Sequence, residues 1–216
     1  IRDRVRADVA KDPELLSLMR RAGCVALYIG FESVDPAALK EMKKSQTVED
    51  MQFAIREIRK QGIHVHGMFV FGFDADTKNT VRSTVAFAVN EKIDTAQFLI
   101  LTPLPGTRFF EEMRSQHRIM DTDWRHYDAH HVTFRPRHFT SYALQWAQLR
   151  GHSRFYAPHR ILSRLVRGRM TAVVIGLYAN NLNRKWKRIE RPYLRVLKHN
   201  LFPAPFAYDS SQVIGK

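Results

Sequence analysis

The chain has 216 residues, 44% of them hydrophobic, with 35 Lys and Arg against 21 Asp and Glu. That is enough apolar mass for one or two packed domains, and it excludes a disordered polyelectrolyte. A single cysteine, Cys24, excludes an internal disulfide and any zinc or iron–sulfur site built from this chain's own thiols, and it fits a reducing, cytoplasmic setting.

The excess of positive charge is local. Residues 1–149 carry 21 basic against 19 acidic side chains, whereas residues 150–200 carry 13 against 1. Two regions with different tasks are expected. The opening residues lack a signal-peptide pattern, and a start at Ile1 in place of Met suggests a trimmed beginning. The longest apolar stretch of the basic region, residues 170–179, is shorter than the ~20 residues a membrane span needs.

In chain order, residues 4–10 read as a short strand, and Asp12-Pro13 as the cap and first turn of a helix ending at Gly23. Residues 25–31 form a continuous apolar run, the pattern of a strand covered on both faces. Asp35-Pro36 opens another helix, and Thr47 with Asp50 makes a capping box for a helix that stops at Gly62. Residues 65–71 are the next buried strand, 77–91 a helix, and 95–101 a fourth strand before a turn-rich Thr102-Pro103-Leu104-Pro105-Gly106-Thr107 and a short helix. Alternation of buried strands with helices predicts an α/β fold with a parallel sheet. Four strands are too few to close a barrel, so the sheet is either small and open or lacks neighbours.

The organisation changes after residue 120. Residues 121–139 read as a connecting loop with a short strand at 131–134. Residues 140–200 form a basic helical extension, helical to about 165 and again from 170 to about 198, and 201–216 a loose tail.

In parallel α/β folds chemistry collects at the carboxyl ends of strands. Three such ends are distinctive: Gly30-Phe31-Glu32-Ser33, Gly72-Phe73-Asp74-Ala75-Asp76-Thr77, and the Thr102–Thr107 turn. Glu32 and Ser33 offer polar groups; the blander alternative is that they cap or hydrogen-bond the following turn. Gly72 would let a ligand approach the backbone, and Asp76 could cap the next helix.

The order of these three motifs resembles the radical S-adenosylmethionine (SAM) enzymes, and within them the subgroup with an N-terminal cobalamin-binding domain. The likeness runs over residues 4–165. It implies that residues 1–120 are the later part of a TIM-like (β/α) barrel, with SAM lying across the strand ends and a [4Fe–4S] cluster reducing it. Carried over by position, Glu32 would lie near the ribose and methionine moieties, Val70 and Gly72 beside the adenine, and Leu101 would supply an apolar contact, with Ser33 a further cofactor-binding residue. The resemblance further implies a missing first barrel half with the cluster, and a missing cobalamin domain, as partners within the same protein.

The departures are specific. The Cys-x3-Cys-x2-Cys cluster motif is absent, and Cys24 precedes its strand. The family's usual Gly-Leu-Pro-Gly-Glu-Thr loop is here Gly72–Thr77 without the proline and second glycine. Asp128-Ala129-His130-His131 begins like a cobalamin-ligating motif but lacks its glycine and follows the barrel. The expectation is therefore an enzyme fragment that is inactive alone.

Two other readings compete. His64 and His66 share one face of a strand and could bind zinc, as in a metal-dependent hydrolase, but they sit at the strand's start. His126 and His130 are four apart in a segment without helical pattern, and a structural or solvent role is expected for them. The basic region could instead be a non-catalytic module for anionic lipid or nucleic acid. Ile161, Leu162, Leu165 and Val166 alternate with Arg160, Arg164, Arg167 and Arg169 at helical spacing, which predicts an apolar side docked inward and a cationic side outward. With Val173, Val174, Ile175 and Leu177 between the cations, a peripheral membrane surface suits this composition better than nucleic acid.

Overall fold

A computed structural model describes residues 2–42, 44–166 and 168–202. Strands β1 (Arg2–Val5), β2 (Ala26–Glu32), β3 (His64–Phe71) and β4 (Thr95–Ile100) form one parallel sheet in the order β1-β2-β3-β4. Helices α1 (Pro13–Arg21), α2 (Pro36–Glu41), α3 (Val48–Lys60) and α4 (Lys78–Asn90) connect successive strands, and α5 (Arg108–Ser115) follows β4. The partial (β/α) barrel read from the sequence is the observed architecture.

Local chemistry accounts for the helix starts. Asp12 accepts the Leu15 N–H at 2.9 Å, and Pro13 occupies the first turn of α1, where its missing N–H costs nothing. Thr47 and Asp50 close a reciprocal capping box on α3. Residues 4–10 are not one strand, however. β1 ends at Val5, and Ala7–Lys11 is a 3-10 turn. Ala7 and Ala10 are buried three residues apart, the 3-10 period, which over so short a window resembles strand alternation.

Each inner strand has two faces. Leu27, Ile29, Phe31, Val65, Phe69, Phe71, Phe98 and Ile100 are buried on the helix side. There Phe31, Phe69 and Phe98 form a stacked row with centroid spacings of 5.7 and 5.6 Å, and Phe71 joins Phe98 at 5.7 Å. Gly67 lies in this row, where a Cβ would stand only 3.0 Å from the Phe69 ring. The opposite face carries Tyr28, Gly30, Glu32, His66, Met68, Val70, Gln97 and Leu99, all half-buried. No second barrel half covers it among the described residues.

The free edge of β4 is closed by side chains and one loop carbonyl. Helix α6 (Ser141–Phe155) lies along it: Tyr156 Oη donates to the Ala96 carbonyl at 2.8 Å and accepts the Ala96 N–H at 3.0 Å. Gln148 donates to the Phe98 carbonyl at 3.0 Å, and Ile100 N–H reaches the Ala129 carbonyl at 2.7 Å. These bonds satisfy a strand edge that would otherwise template aggregation. The sheet therefore ends by design at β4 and lacks a described neighbour only beyond β1.

The extension breaks more often than its apolar spacing predicts. After α6 come α7 (Pro158–Val166), α8 (Met170–Ile189) and α9 (Arg191–His199). Pro158 and Pro192 each sit in a first turn, because proline lacks the N–H and its ring would clash within a continuous helix. The short strand expected at 131–134 is a single antiparallel bridge, Ile119 to Phe134. The loose tail expected at 201–216 lies outside the described residues from 203 onward.

Candidate functional site

The carboxyl ends of β2, β3 and β4 meet on the half-buried face. Glu32 closes β2 in the left-handed backbone region, with φ of 63°, and the register with β3 slips between Gly30 and Glu32. A non-glycine residue there is held against its preference at a cost of about 1–3 kcal/mol. Three neighbours hold it. Lys44 Nζ lies 3.0 Å from Glu32 Oε1 and donates to the Gly30 carbonyl at 3.2 Å, while Gln46 donates to the Phe31 carbonyl at 2.8 Å. Gly30 leaves room for this arrangement, since a Cβ there would stand 2.5 Å from Glu32 Oε1 and push that carboxylate aside. The bulge thus aims a carboxylate, paired with one ammonium, over a cavity of about 490 Å³ that Tyr28, Gly30, Met68 and Arg6 also line.

The other residues singled out in the sequence divide into two groups. Val70 lies on the same face as Glu32, opposite Leu99 in the register, and Leu101 continues that face one residue beyond β4. Ser33 points away from it: buried, with its Oγ accepting the Asp35 N–H at 3.0 Å, it shapes the turn into α2. Gly72 has φ of 114°, and the space a Cβ would fill is taken by Phe134 at 3.1 Å and Leu144 at 3.2 Å. Glycine is demanded there by the turn and by packing from the post-barrel segment.

Asp76 does not cap α4. That cap is Thr77, boxed with Thr80. Asp76 is instead fully buried, with Oδ2 accepting the N–H groups of Gly72 at 2.8 Å and Phe73 at 3.1 Å. Burial pushes its carboxyl up to about 6, with Asp35 and Glu41 adding to the rise against the pull of those two N–H groups. Asp74 is pinned from the other side by Arg118, at 2.5 and 2.9 Å, and by Arg137 at 2.7 Å. Partial burial opposes its ionisation, but the two guanidinium groups win and hold it below the usual carboxylate range. The loop after β3 is thus a rigid wall of the site.

A second, mostly apolar cavity of about 560 Å³ continues the same face toward α8, lined by Tyr28, His66, Gln97, His130, Tyr178 and Trp186. The His66 ring packs tilted against Tyr28 at 4.4 Å, and its Nδ1 meets Thr95 Oγ1 at 2.8 Å. Burial lowers its pKa to about 4, so it is neutral at pH 7. His64 instead faces Asp94 at 3.4 Å. Among the described residues this histidine pair gathers no third metal-ligating side chain.

Sequence reasoning missed Lys44, a lysine in a short link between helices, because nothing in its neighbourhood marks it as a partner of Glu32. Cys24 is buried at the amino end of β2, opposite to Glu32, with Sγ 3.7 Å from the Ala26 carbonyl. It cannot serve as a cluster ligand beside the strand ends.

Comparison with known proteins bears on this geometry. A family model described as the Radical SAM superfamily matches residues 4–88. Bacteriochlorophyllide d C-12(1)-methyltransferase of Chlorobaculum tepidum is 38% identical over 126 residues, 58% of this chain and 27% of that protein. Anaerobic magnesium-protoporphyrin IX monomethyl ester cyclase of Cereibacter sphaeroides is 32% identical over 149 residues, 69% of this chain and 24% of that protein. The chain spans about a quarter of the length of these curated relatives. Among solved structures, archaeal Elp3 of Methanocaldococcus infernus superposes with a TM-score of 0.53 at 15% identity over 73% of this chain and 32% of that one, a likeness of fold alone.

Proposed function

This chain belongs to the radical SAM superfamily, and we propose that it is the later barrel half and helical extension of a methyl-transferring member, binding SAM across the ends of β2, β3 and β4. The observation that carries the reading is the convergence of Glu32, Val70 and Leu101 on one open face at the carboxyl ends of parallel strands. The donor set suits SAM. A carboxylate accepts from ribose hydroxyls or an ammonium, and Val70 with Leu101 offers an apolar wall to an aromatic base. When bound, SAM and a reduced [4Fe–4S] cluster supply the radical chemistry. The one cysteine of this chain does not fit a cluster, so its ligands would come from the missing first barrel half. Cobalamin, held by a further domain, would be the methyl carrier.

This chain's own work is to bind, orient and exclude water. Glu32 would exchange its pairing with Lys44 for the cofactor's donors, and the pinned loop after β3 would keep the adenine side fixed. The apolar cavity beside His66 suits a large apolar substrate, in keeping with the chlorophyllide and protoporphyrin named for the relatives. Cyclisation is the competing reaction class. Alone, the chain would be inactive. In the full-length enzyme, Glu32→Ala is expected to weaken SAM binding about tenfold or more, the loss of a hydrogen bond to a charged group. Unchanged affinity with unchanged cofactor cleavage would reduce Glu32 to a structural partner of Lys44.

The basic extension supports a second, peripheral role. The sequence predicts cations outward and apolar groups inward, yet several cations turn in. Arg164 lies 4.6 Å from the Phe155 ring centroid, Arg169 pairs with buried Asp94, and Lys187 meets Ser153 Oγ at 3.1 Å. Leu162, Val166, Val174, Leu177 and Tyr178 are left exposed. No described helix is long and apolar enough to cross a membrane. Exposed apolar groups with the remaining cations suit the surface of an anionic bilayer. The chain should float with anionic vesicles at low salt and much less at high salt or with neutral vesicles. Equal flotation after replacing Leu162, Val166 and Val174 with serine would refute the contact.

A further inference from the structure

The post-barrel loop and the junction of α8 with α9 bring two histidines and a glutamate together. His126 ends the short 3-10 turn Trp124–His126, His131 lies five residues on, and Glu190 stands between the two helices. One potential ligand atom from each lies within 4.8 Å of the others, and among the described residues this is the one such group. A tetrahedral zinc-class ion with nitrogen and oxygen ligands near 2.0–2.1 Å holds them about 3.3 Å apart. His131 Nε2 and Glu190 Oε2, at 3.6 Å, are already close to that spacing.

The hydrogen bonding engages Nδ1 of both imidazoles and leaves His131 Nε2 without a partner. His131 is buried, and its Nε2 makes no hydrogen bond, an unusual state for a buried ring nitrogen. Its Nδ1 is engaged by Asp128 Oδ1 at 3.0 Å, and His126 Nδ1 by Asp121 Oδ2 at 2.6 Å. A carboxylate on Nδ1 fixes the tautomer that carries the proton there and frees Nε2 as a ligand, the support that metal-bound histidines ordinarily have. Both carboxylates are themselves anchored. Asp128 accepts the N–H groups of His130 at 2.8 Å and His131 at 3.1 Å, and Asp121 accepts the Asp123 N–H at 2.9 Å. Trp186 at 5.1 Å and Tyr193 at 4.7 Å wall the His131 ring.

We infer that His126, His131 and Glu190 form a binding site for a divalent zinc-class metal ion, with Asp121 and Asp128 orienting the two imidazoles. The ion ties the post-barrel loop to the end of α8. Two neutral imidazoles and one carboxylate are a borderline-soft set that favours zinc or cobalt over magnesium or calcium. Water fills the fourth position. The sequence signal is faint because the ligands are spaced by 5 and 59 residues, and the neighbouring His130 suggests the wrong partner for His126.

The test uses the whole chain, stripped with a chelator and titrated with Co²⁺ and then Zn²⁺. One Co²⁺ should bind per chain with the visible absorption of a four-coordinate site, and Zn²⁺ should displace it. His126→Ala, at a half-buried position that should leave the fold intact by circular dichroism, is expected to abolish that spectrum. Asp121→Asn and Asp128→Asn should weaken binding roughly 10- to 100-fold. His138→Ala, an exposed control, should bind as the parent does. Failure of the parent chain to bind one Co²⁺, or an unchanged Co²⁺ spectrum in a folded His126→Ala variant, would overturn the assignment.

Discussion

Phe98→Ala is expected to lower the unfolding free energy of the chain by about 3–5 kcal/mol, the range for deleting a buried aromatic side chain. Phe98 is fully buried. It stacks on Phe69 and Phe71, and its edge contacts include Phe155 at 6.0 Å and His152 at 5.3 Å. The substitution therefore opens a void where the strand row meets the helix that closes the sheet. Because that void touches α6 as well as β3, little rearrangement can fill it, and the upper part of the range is expected. Urea denaturation followed by circular dichroism measures it. A loss below about 1 kcal/mol would mean that α6 packs on β4 far more loosely than the geometry indicates.

Strand and helix order could be read from the sequence because the inner strands are largely apolar runs and most connecting helices carry their own caps. Asp12, Asp35 and Thr47 announce α1, α2 and α3 before any contact is known. The strand-end carboxylate Glu32 could be read for a similar reason, since it follows its strand directly. What could not be read depends on distant partners. Nothing local in Tyr156 says that it closes the edge of β4, sixty residues earlier. Gly72 reads as room for a ligand until Phe134 and Leu144 are seen to occupy that room. Asp76 reads as a cap because its spacing suits one, yet the cap is Thr77 and the carboxyl folds back on Gly72 and Phe73. The orientation of the basic helices failed on the same ground: Asp94, a single buried acid in a distant loop, draws Arg169 inward.

Asp76 also leads to an expectation about pH. Its carboxyl titrates at about 6 in the folded chain against 3.8 as the ordinary value. Between those two values the folded state binds more protons than the unfolded state, so raising the pH through this window destabilises the fold. The gap corresponds to about 3 kcal/mol, present as a penalty above pH 6 and absent below pH 4. His66 and His152, both lowered to about 4 by burial, act in the opposite sense, since their protonation on acidification favours unfolding. The net stability curve of the parent chain therefore mixes opposing contributions. Asp76→Asn isolates one of them. The amide oxygen can still accept from Gly72 and Phe73, while the amide nitrogen inherits the position of Oδ1, which has no hydrogen-bond partner. That loss is the same at every pH, whereas the electrostatic penalty is not. The stability of Asp76→Asn relative to the parent should therefore rise by about 3 kcal/mol between pH 4 and pH 7.5. Urea denaturation of both proteins at half-unit pH steps gives the difference directly. A difference that stays flat across this range would show that the carboxyl ionises freely where it sits, with water or the N–H groups of Gly72 and Phe73 outweighing burial.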